Sequence, residues 1–169
     1  DGVSSHDVVQ GARRWLRQRQ VGHTGTLDPL ATGLLVLCIG AATRLSEYLL
    51  GASKAYRAVV RLGESTNSYD ADGEITAACP VNVDAAGVTA ALRQFRGEIE
   101  QVPPAFSAIK SGGQRAYKLA REGKPAQLMA RRVHIEQISV IDFDAPDVTF
   151  ELACSAGTYV RSLAHDLGE

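Results

Sequence analysis

The sequence predicts an α+β domain built on a mixed, mainly antiparallel sheet that is flanked by helices. Residues 54–62 alternate apolar and polar side chains, which is typical of a half-buried strand. Residues 132–143 and 148–154 are two further strand patterns separated by a short turn, the arrangement of an antiparallel pair. Helical patterns occur among these strands without a regular βαβ rhythm, which argues against a parallel sheet.

Helices are predicted where apolar side chains recur at a spacing of three or four residues. The first begins at Ser5, which we expect to be its N-cap, and a second, shorter one covers residues 42–50. A third begins after Asp84 and ends at Gly97. Residues 159–167 finish the chain as a helix.

Residues 22–33 combine three glycines and a proline with a single carboxylate, that of Asp28. Such a segment forms neither a regular helix nor a central strand. Residues 34–39 are apolar throughout and predict a strand buried on both faces. Asp28 is therefore expected on a stiff loop beside a core strand, where a scaffold can aim a reactive group. On spacing alone, a turn-capping role before Pro29 is the better explanation.

Composition excludes several classes of protein. The 169 residues are one domain's worth, and 45% are apolar, an ordinary value for a globular domain. No apolar stretch is long enough to span a bilayer, and no signal peptide is evident. Cys38, Cys79 and Cys154 lie far apart, which argues against a disulfide framework or a zinc site and for a reducing compartment. The chain begins with Asp1, so we expect a fragment of a longer protein.

The charges are balanced overall, with 18 Lys and Arg against 19 Asp and Glu, but they are segregated along the chain. Basic side chains dominate residues 110–132, which also contain a short predicted helix at 116–121. A polyanion such as RNA could use this asymmetry. A second basic cluster, over residues 13–19, is better explained as a solvated helix face.

Five segments resemble a known family. Residues 22–33 resemble the signature of the TruB family of tRNA pseudouridine synthases, close to G-H-x-G-x-L-D-P-x-A-x-G. Four more follow in the family's order and resemble its basic-x-Tyr, D-A-D-G, P-P-x-x-S-A-x-K and G-T-Y-[IV]-R segments: residues 54–57, 70–73, 103–110 and 157–161. The resemblance implies that residues 1–169 form a pseudouridine synthase catalytic domain truncated at both ends, with 104–132 a basic RNA-contacting excursion.

The resemblance implies that uridine 55 in the T-loop of tRNA is isomerised to pseudouridine. The N1–C1′ bond breaks, the base turns over, and C5 joins C1′, so no redox change occurs and neither a cofactor nor a metal is expected. The chemistry needs a carboxylate near C1′, which attacks the sugar or stabilises its developing positive charge. It also needs the base to be flipped out of its stack.

The same resemblance assigns the site residues. Asp28 is the expected nucleophile, and Arg161 is expected to hold it ionised. Tyr56 is expected to stack on the target base, although it could be an ordinary core aromatic. Asp70 and Asp72 are interpreted as solvated, turn-forming acids. The residues expected to contact RNA are His23, Lys110, Arg115, Lys118 and Arg121.

Two alternative functions stay open. One is a guide-RNA-dependent synthase resembling dyskerin, a group that lacks the stretch resembling residues 107–124. The other is a non-catalytic module that binds or folds tRNA. The leading interpretation predicts a cytoplasmic monomer whose partner is the T-arm of tRNA, without a membrane.

Overall fold

A computed structural model describes residues 2–169 and divides the chain into two compact units, Asp1–Ala52 and Ser53–Glu169. Within residues 2–169, no helix combines the length and the apolar character that crossing a membrane requires.

The first unit contains three helices and one small sheet. Its elements are α1 (Ser5–Leu16), β1 (Val21–His23), β2 (Leu37–Ile39), a 3₁₀ helix (Gly40–Leu45) and α2 (Ser46–Leu50). β1 and β2 pair antiparallel, with Val21 opposite Ile39 and His23 opposite Leu37. Val9, Val21 and Cys38 are its buried apolar side chains.

Helix α1 is capped by Ser4, so the prediction that Ser5 is the N-cap was wrong by one residue. The Ser4 hydroxyl accepts the N–H of Asp7 at 3.2 Å, and the Asp7 carboxylate accepts the N–H of Ser4 at 3.1 Å. This reciprocal pair satisfies two backbone donors at the helix start. Ser5 is buried, and its hydroxyl bonds the backbone of Leu27 instead.

The prediction of a strand over 34–39, buried on both faces, was also wrong. Only Leu37–Ile39 is a strand, and Leu34 is 87% exposed. The sheet has only two strands, so β2 pairs with β1 alone over a short length. A strand needs neighbours on both sides to be central, and an apolar composition does not supply them. The predicted helix over 42–50 is a 3₁₀ helix in its first part and α-helical only from Ser46 to Leu50.

The second unit is built on a four-stranded antiparallel sheet in the order β3-β10-β9-β6. The strands of this unit are β3 (Lys54–Arg61), β4 (Glu64–Thr66), β5 (Ile75–Ala78), β6 (Gly97–Gln101), β7 (Lys110–Ser111), β8 (Gln114–Arg115), β9 (Arg131–Asp144) and β10 (Asp147–Cys154). Its helices are α3 (Ala85–Arg93), α4 (Ala116–Arg121) and α5 (Val160–Gly168). The predicted α+β class with a mainly antiparallel sheet is confirmed.

One face of this sheet carries the core, because alternate residues of each strand point to the same side. Buried side chains from β9, β10, α3 and α5 form a single cluster: Val88, Leu92, Ile135, Val148, Phe150, Leu152, Cys154 and Leu163. The opposite face is polar and carries ion pairs between β3 and β10, Arg57 with Glu151 and Arg61 with Asp147. The hydrogen bonds from Arg61 lower the pKa of the Asp147 carboxyl.

Sequence analysis did not predict three short strand pairings. The segment predicted as a loop over 63–73 contains β4, which pairs with β5. β6 pairs with β9 directly after Gly97, where the third helix was expected to end. β7 and β8 form a hairpin whose turn is Gly112-Gly113, both with positive φ as a type I′ turn requires.

Replacing Phe150 with alanine should lower the free energy of unfolding by about 3–5 kcal/mol, because Phe150 is fully buried at the centre of the cluster. Val59→Ala is the control, since Val59 lies on β3 and is 70% exposed. It should cost less than about 1 kcal/mol. Urea denaturation followed by circular dichroism measures both, and equal losses would contradict this assignment of the core.

Candidate active site

The loop that carries Asp28 is fixed to its own unit by backbone hydrogen bonds. The N–H of Leu27 donates to the Ser5 hydroxyl at 2.9 Å, and the N–H of Thr24 donates to the carbonyl of Val36 at 3.1 Å. The Asp28 carbonyl accepts the N–H of Ala31 at 2.9 Å, which closes a turn around Pro29. Both sides of Asp28 are therefore held, and the loop is stiff for reasons beyond its glycine and proline content.

His23 is the last residue of β1 and precedes Asp28 in the same segment. Its ring is partly buried, and within residues 2–169 its Nδ1 atom is buried with no hydrogen-bond partner. A buried ring nitrogen without a partner is costly. The Nδ1 atom of His23 therefore has an unused capacity for hydrogen bonding.

Arg161 is the centre of the polar contacts in the second unit. Its Nη1 atom donates to the carbonyl of Ser68 at 2.9 Å and to the Asp70 carboxylate at 3.1 Å, and its Nη2 atom donates to the carbonyl of Phe106 at 3.1 Å. The Arg161 and Asp70 side chains are only 12% and 14% exposed. This guanidinium therefore joins three segments that are far apart in sequence.

The start of α5, where Arg161 lies, is held by the end of β6. The buried amide of Gln101 accepts the N–H of Tyr159 at 2.8 Å and donates to its carbonyl at 3.0 Å. The hydroxyl of Ser162, which is also buried, donates to the carbonyl of Val102 at 2.7 Å. These bonds hold the start of α5 in place, and α5 carries the Arg161 side chain.

Tyr56 lies on β3 opposite Leu152, on the side of the strand that faces the core. It is half-buried and packs against the core cluster, as the alternation of residues 54–62 predicted. This contact accounts for its orientation. Its expected role on a target base stays a prediction.

The four basic residues predicted to bind RNA in the second unit are exposed and lie on one local structure. Lys110 and Arg115 face each other across the β7–β8 hairpin, while Lys118 and Arg121 lie on α4. The Arg115 guanidinium donates to the carbonyl of Ala108, and that of Arg121 lies 5.6 Å from the centre of the Tyr117 ring. Backbone bonds tie the helix start down, from Ala116 to Ile109 at 2.7 Å among others. Lysine and arginine are thus displayed from an anchored hairpin and helix.

Residues 2–169 contain no cluster of three or more His, Cys, Asp or Glu side chains that could hold a metal ion. The arrangement that they do contain is an anchored carboxylate loop in one unit and a nearly buried Arg–Asp pair in the other. A carboxylate on a stiff loop can act as a nucleophile, and a fixed guanidinium can stabilise an anion.

Comparison with known proteins agrees with these features. The model of the TruB family pseudouridylate synthase (N terminal domain) matches residues 13–160. This chain belongs to the TruB family. The tRNA pseudouridine synthase B of Cupriavidus pinatubonensis is 52% identical over 99% of this chain and 54% of its own length. That of Pseudomonas aeruginosa is 48% identical over 99% of this chain and 55% of its own length. The chain therefore spans about half the length of the curated relatives it matches.

Solved structures confirm the predicted pseudouridine synthase fold for this TruB family member. A crystal structure of a Cbf5-Nop10-Gar1 complex contains a chain that matches 99% of this chain and 40% of its own length, with a TM-score of 0.73 and 30% identity. The structure of an H/ACA RNP bound to a substrate RNA containing 2′-deoxyuridine gives a TM-score of 0.70 at 28% identity, over 99% of this chain and 39% of that chain.

One expectation about this family member was wrong in part. Asp70 was interpreted as a solvated, turn-forming acid, and it does form a turn, but its carboxylate is mostly buried and pairs with Arg161. Its other oxygen accepts the Ser68 hydroxyl at 2.6 Å and the N–H of Asp72 at 3.2 Å. Asp72 itself is exposed, as predicted. Sequence analysis missed Asp70 because the pairing joins residues 91 positions apart, and no local pattern signals such a contact.

Replacing Asp70 with asparagine should lower the free energy of unfolding by about 3 kcal/mol, because it removes a carboxylate that pairs with the nearly buried Arg161 guanidinium. Asp147→Asn is a matched control. It removes the same charge from an exposed pair with Arg61, so the loss should be much smaller. Urea denaturation of both variants gives the comparison, and similar losses would show that the Asp70 pair does not stabilise the fold.

Proposed function

We propose that this protein isomerises uridine 55 in the T-loop of tRNA to pseudouridine. The observation that carries the proposal is the match of 99% of the chain, at 52% identity, to a tRNA pseudouridine synthase B. The reaction is an isomerisation without redox change, so the site needs an anchored carboxylate and a means of holding charge. The loop of Asp28 supplies an anchored carboxylate, and the bonded guanidinium of Arg161 supplies a fixed positive charge.

In the proposed mechanism the Asp28 carboxylate attacks C1′ of the flipped uridine, and the N1–C1′ bond breaks with its electron pair going to the uracil. The uracil then turns over and C5 bonds to C1′, while the bond between the carboxylate and C1′ breaks. C5 finally loses its proton and N1 gains one, so that atoms and electrons balance. The hydrogen bonds on both sides of Asp28 support this role, because a nucleophile held in place loses little entropy on reaction.

Arg161 is proposed to keep the nucleophile ionised and aimed, and Tyr56 to stack on the target base. Three hydrogen bonds hold the Arg161 guanidinium, which is only 12% exposed, and so its charge is pre-oriented. Tyr56 is backed by the core cluster, which would fix the plane of its ring. Asp70 is proposed to position Arg161 and not to react itself.

The T-arm of tRNA is the proposed partner. His23 is proposed to fill the gap left by the flipped nucleotide, and the hairpin and helix α4 are proposed to contact backbone phosphates. The supporting observation is that Lys110, Arg115, Lys118 and Arg121 are all exposed although the chain's net charge is −1. We further propose that the protein acts as a cytoplasmic monomer, which light scattering and cell fractionation would test.

The relatives favour a synthase that finds tRNA unaided over a guide-RNA-dependent one. Relatives named tRNA pseudouridine synthase B are 48–52% identical to this chain, whereas the Cbf5 complexes are 28–30% identical. The β7–β8 hairpin and α4 also occupy the stretch that the dyskerin-like group was expected to lack. A purely structural tRNA-folding role would leave the anchored Asp28 loop without a function.

Asp28→Asn in the complete protein should lower pseudouridine formation at least about 10⁴-fold while leaving RNA affinity within a few-fold, because the nucleophile is lost but the binding surface is kept. Single-turnover conversion of a T-arm hairpin and filter binding measure the two effects. Asp72→Asn is the control, since this carboxylate is exposed and its predicted role is solvation. Turnover by Asp28→Asn at the rate of the unaltered protein would remove Asp28 as nucleophile. A requirement for a guide RNA would favour the dyskerin-like alternative.

Replacing Arg115, Lys118 and Arg121 together with glutamine should weaken binding of the T-arm hairpin and reduce the slope of log affinity against log salt by about 2–3. The control removes three arginines that lie outside residues 104–132, namely Arg57 and Arg61, which are paired on the sheet, and Arg93, which is exposed on α3. Both variants lose three positive charges, so a difference between their salt slopes must come from the position of the charges and not from their number. Equal slopes in the two variants would contradict the proposed phosphate contacts.

A further inference from the structure

The loop that holds Arg161 contains an aromatic stack that the proposed function does not use. Tyr69 lies between Ser68 and Asp70, the two loop residues that bond Arg161. Its ring lies on that of His165, with ring centres 3.9 Å apart and planes inclined by 9°. This is an almost parallel face-to-face contact, and it requires both rings to be held in place.

The backbone of Tyr69 is in an unfavourable conformation. Its φ is +62°, in the left-handed region where a side chain other than glycine's is crowded. Such a conformation persists only where the surroundings enforce it. Here the N–H of Tyr69 donates to the carbonyl of Thr66 at 3.2 Å, and the Thr66 hydroxyl donates to the carbonyl of Asp70 at 2.8 Å. The stack on His165 is the contact that holds the ring itself.

Helix α5 carries both side chains that contact residues 68–70. Arg161 and His165 are four residues apart on this helix, so they project from the same face. The same face therefore contacts three consecutive loop residues, Arg161 bonding Ser68 and Asp70 while His165 stacks on Tyr69. A shift of the Tyr69 backbone would move the carbonyl before it and the carboxylate after it, and these are two of the acceptors of the guanidinium.

We propose that the Tyr69–His165 stack is a positioning device for Arg161. It holds residues 68–70 in the conformation that presents the Ser68 carbonyl and the Asp70 carboxylate to Nη1 of the guanidinium. Both rings act through Arg161, so they are positioning residues and not catalytic ones. The inference rests on the proposed function in so far as Arg161 serves the reaction.

The test removes the stack and then restores it. His165→Ala and Tyr69→Ala each delete one ring, whereas His165→Phe and Tyr69→Phe keep two rings in contact. In turnover of a T-arm hairpin by the complete protein, we expect each alanine variant to lower kcat about 10- to 100-fold, because a small misplacement of a group in the site has this effect. KM should change less than about threefold, and the phenylalanine variants should recover most of kcat.

Two controls separate positioning from general destabilisation. His134→Ala deletes an exposed histidine of the same unit that pairs with Glu98, and it should leave kcat unchanged. The double variant His165→Ala with Tyr69→Ala should be no slower than either single variant, because both act through one contact. Unchanged kcat in His165→Ala, or no recovery in His165→Phe, would overturn the proposal.

A second measurement does not depend on activity. The Arg161 guanidinium protons should exchange slowly with water in the unaltered protein, as observed by NMR, because they are bonded and little exposed. Exchange should accelerate at least several-fold in His165→Ala and return towards the original rate in His165→Phe. If the unaltered protein makes no pseudouridine, the proposed function fails while this measurement still decides the positioning role. Equal exchange rates in all variants would refute that role.

Discussion

The polar contacts of the larger unit depend on the nearly buried guanidinium of Arg161. It ties α5 to the acidic loop at Ser68 and Asp70 and to the segment after the paired prolines at Phe106. A charge this little exposed would be destabilising without acceptors, so these segments must converge where the guanidinium lies. The same requirement keeps the guanidinium oriented before any substrate arrives, which is what electrostatic stabilisation of a reaction needs.

The carboxylate loop of the smaller unit is held in a different way. Its fixed points are backbone groups, from the N–H of Thr24 to that of Ala31, and a buried serine hydroxyl at the start of α1. A loop anchored through its backbone can present a carboxylate in a defined direction. The residues that hold this loop extend beyond the signature segment to Ser5.

Local sequence patterns predicted those parts of the fold that local forces decide. The alternation over 54–62 gave β3 and the inward side of Tyr56, and Asp84 caps α3 through the N–H of Gly87 at 2.8 Å, as expected. The same reasoning was wrong for residues 34–39, because burial depends on how many strands flank a segment and not on its composition. It also missed β4 and β5, which pair with each other, and β6, whose partner β9 lies far along the chain.

The amino-acid sequence by itself determined the class of the domain, its family and the identity of the candidate nucleophile, since these follow from short motifs and from spacing within one element. Only the tertiary structure decided that Asp70 is the partner of Arg161 and that Tyr69 stacks on His165. These contacts join residues more than 90 positions apart, and the need of the nearly buried guanidinium for acceptors explains the first of them. The sequence shows which polar and charged side chains the protein has. The cost of removing them from water in the folded protein decides which of them must pair.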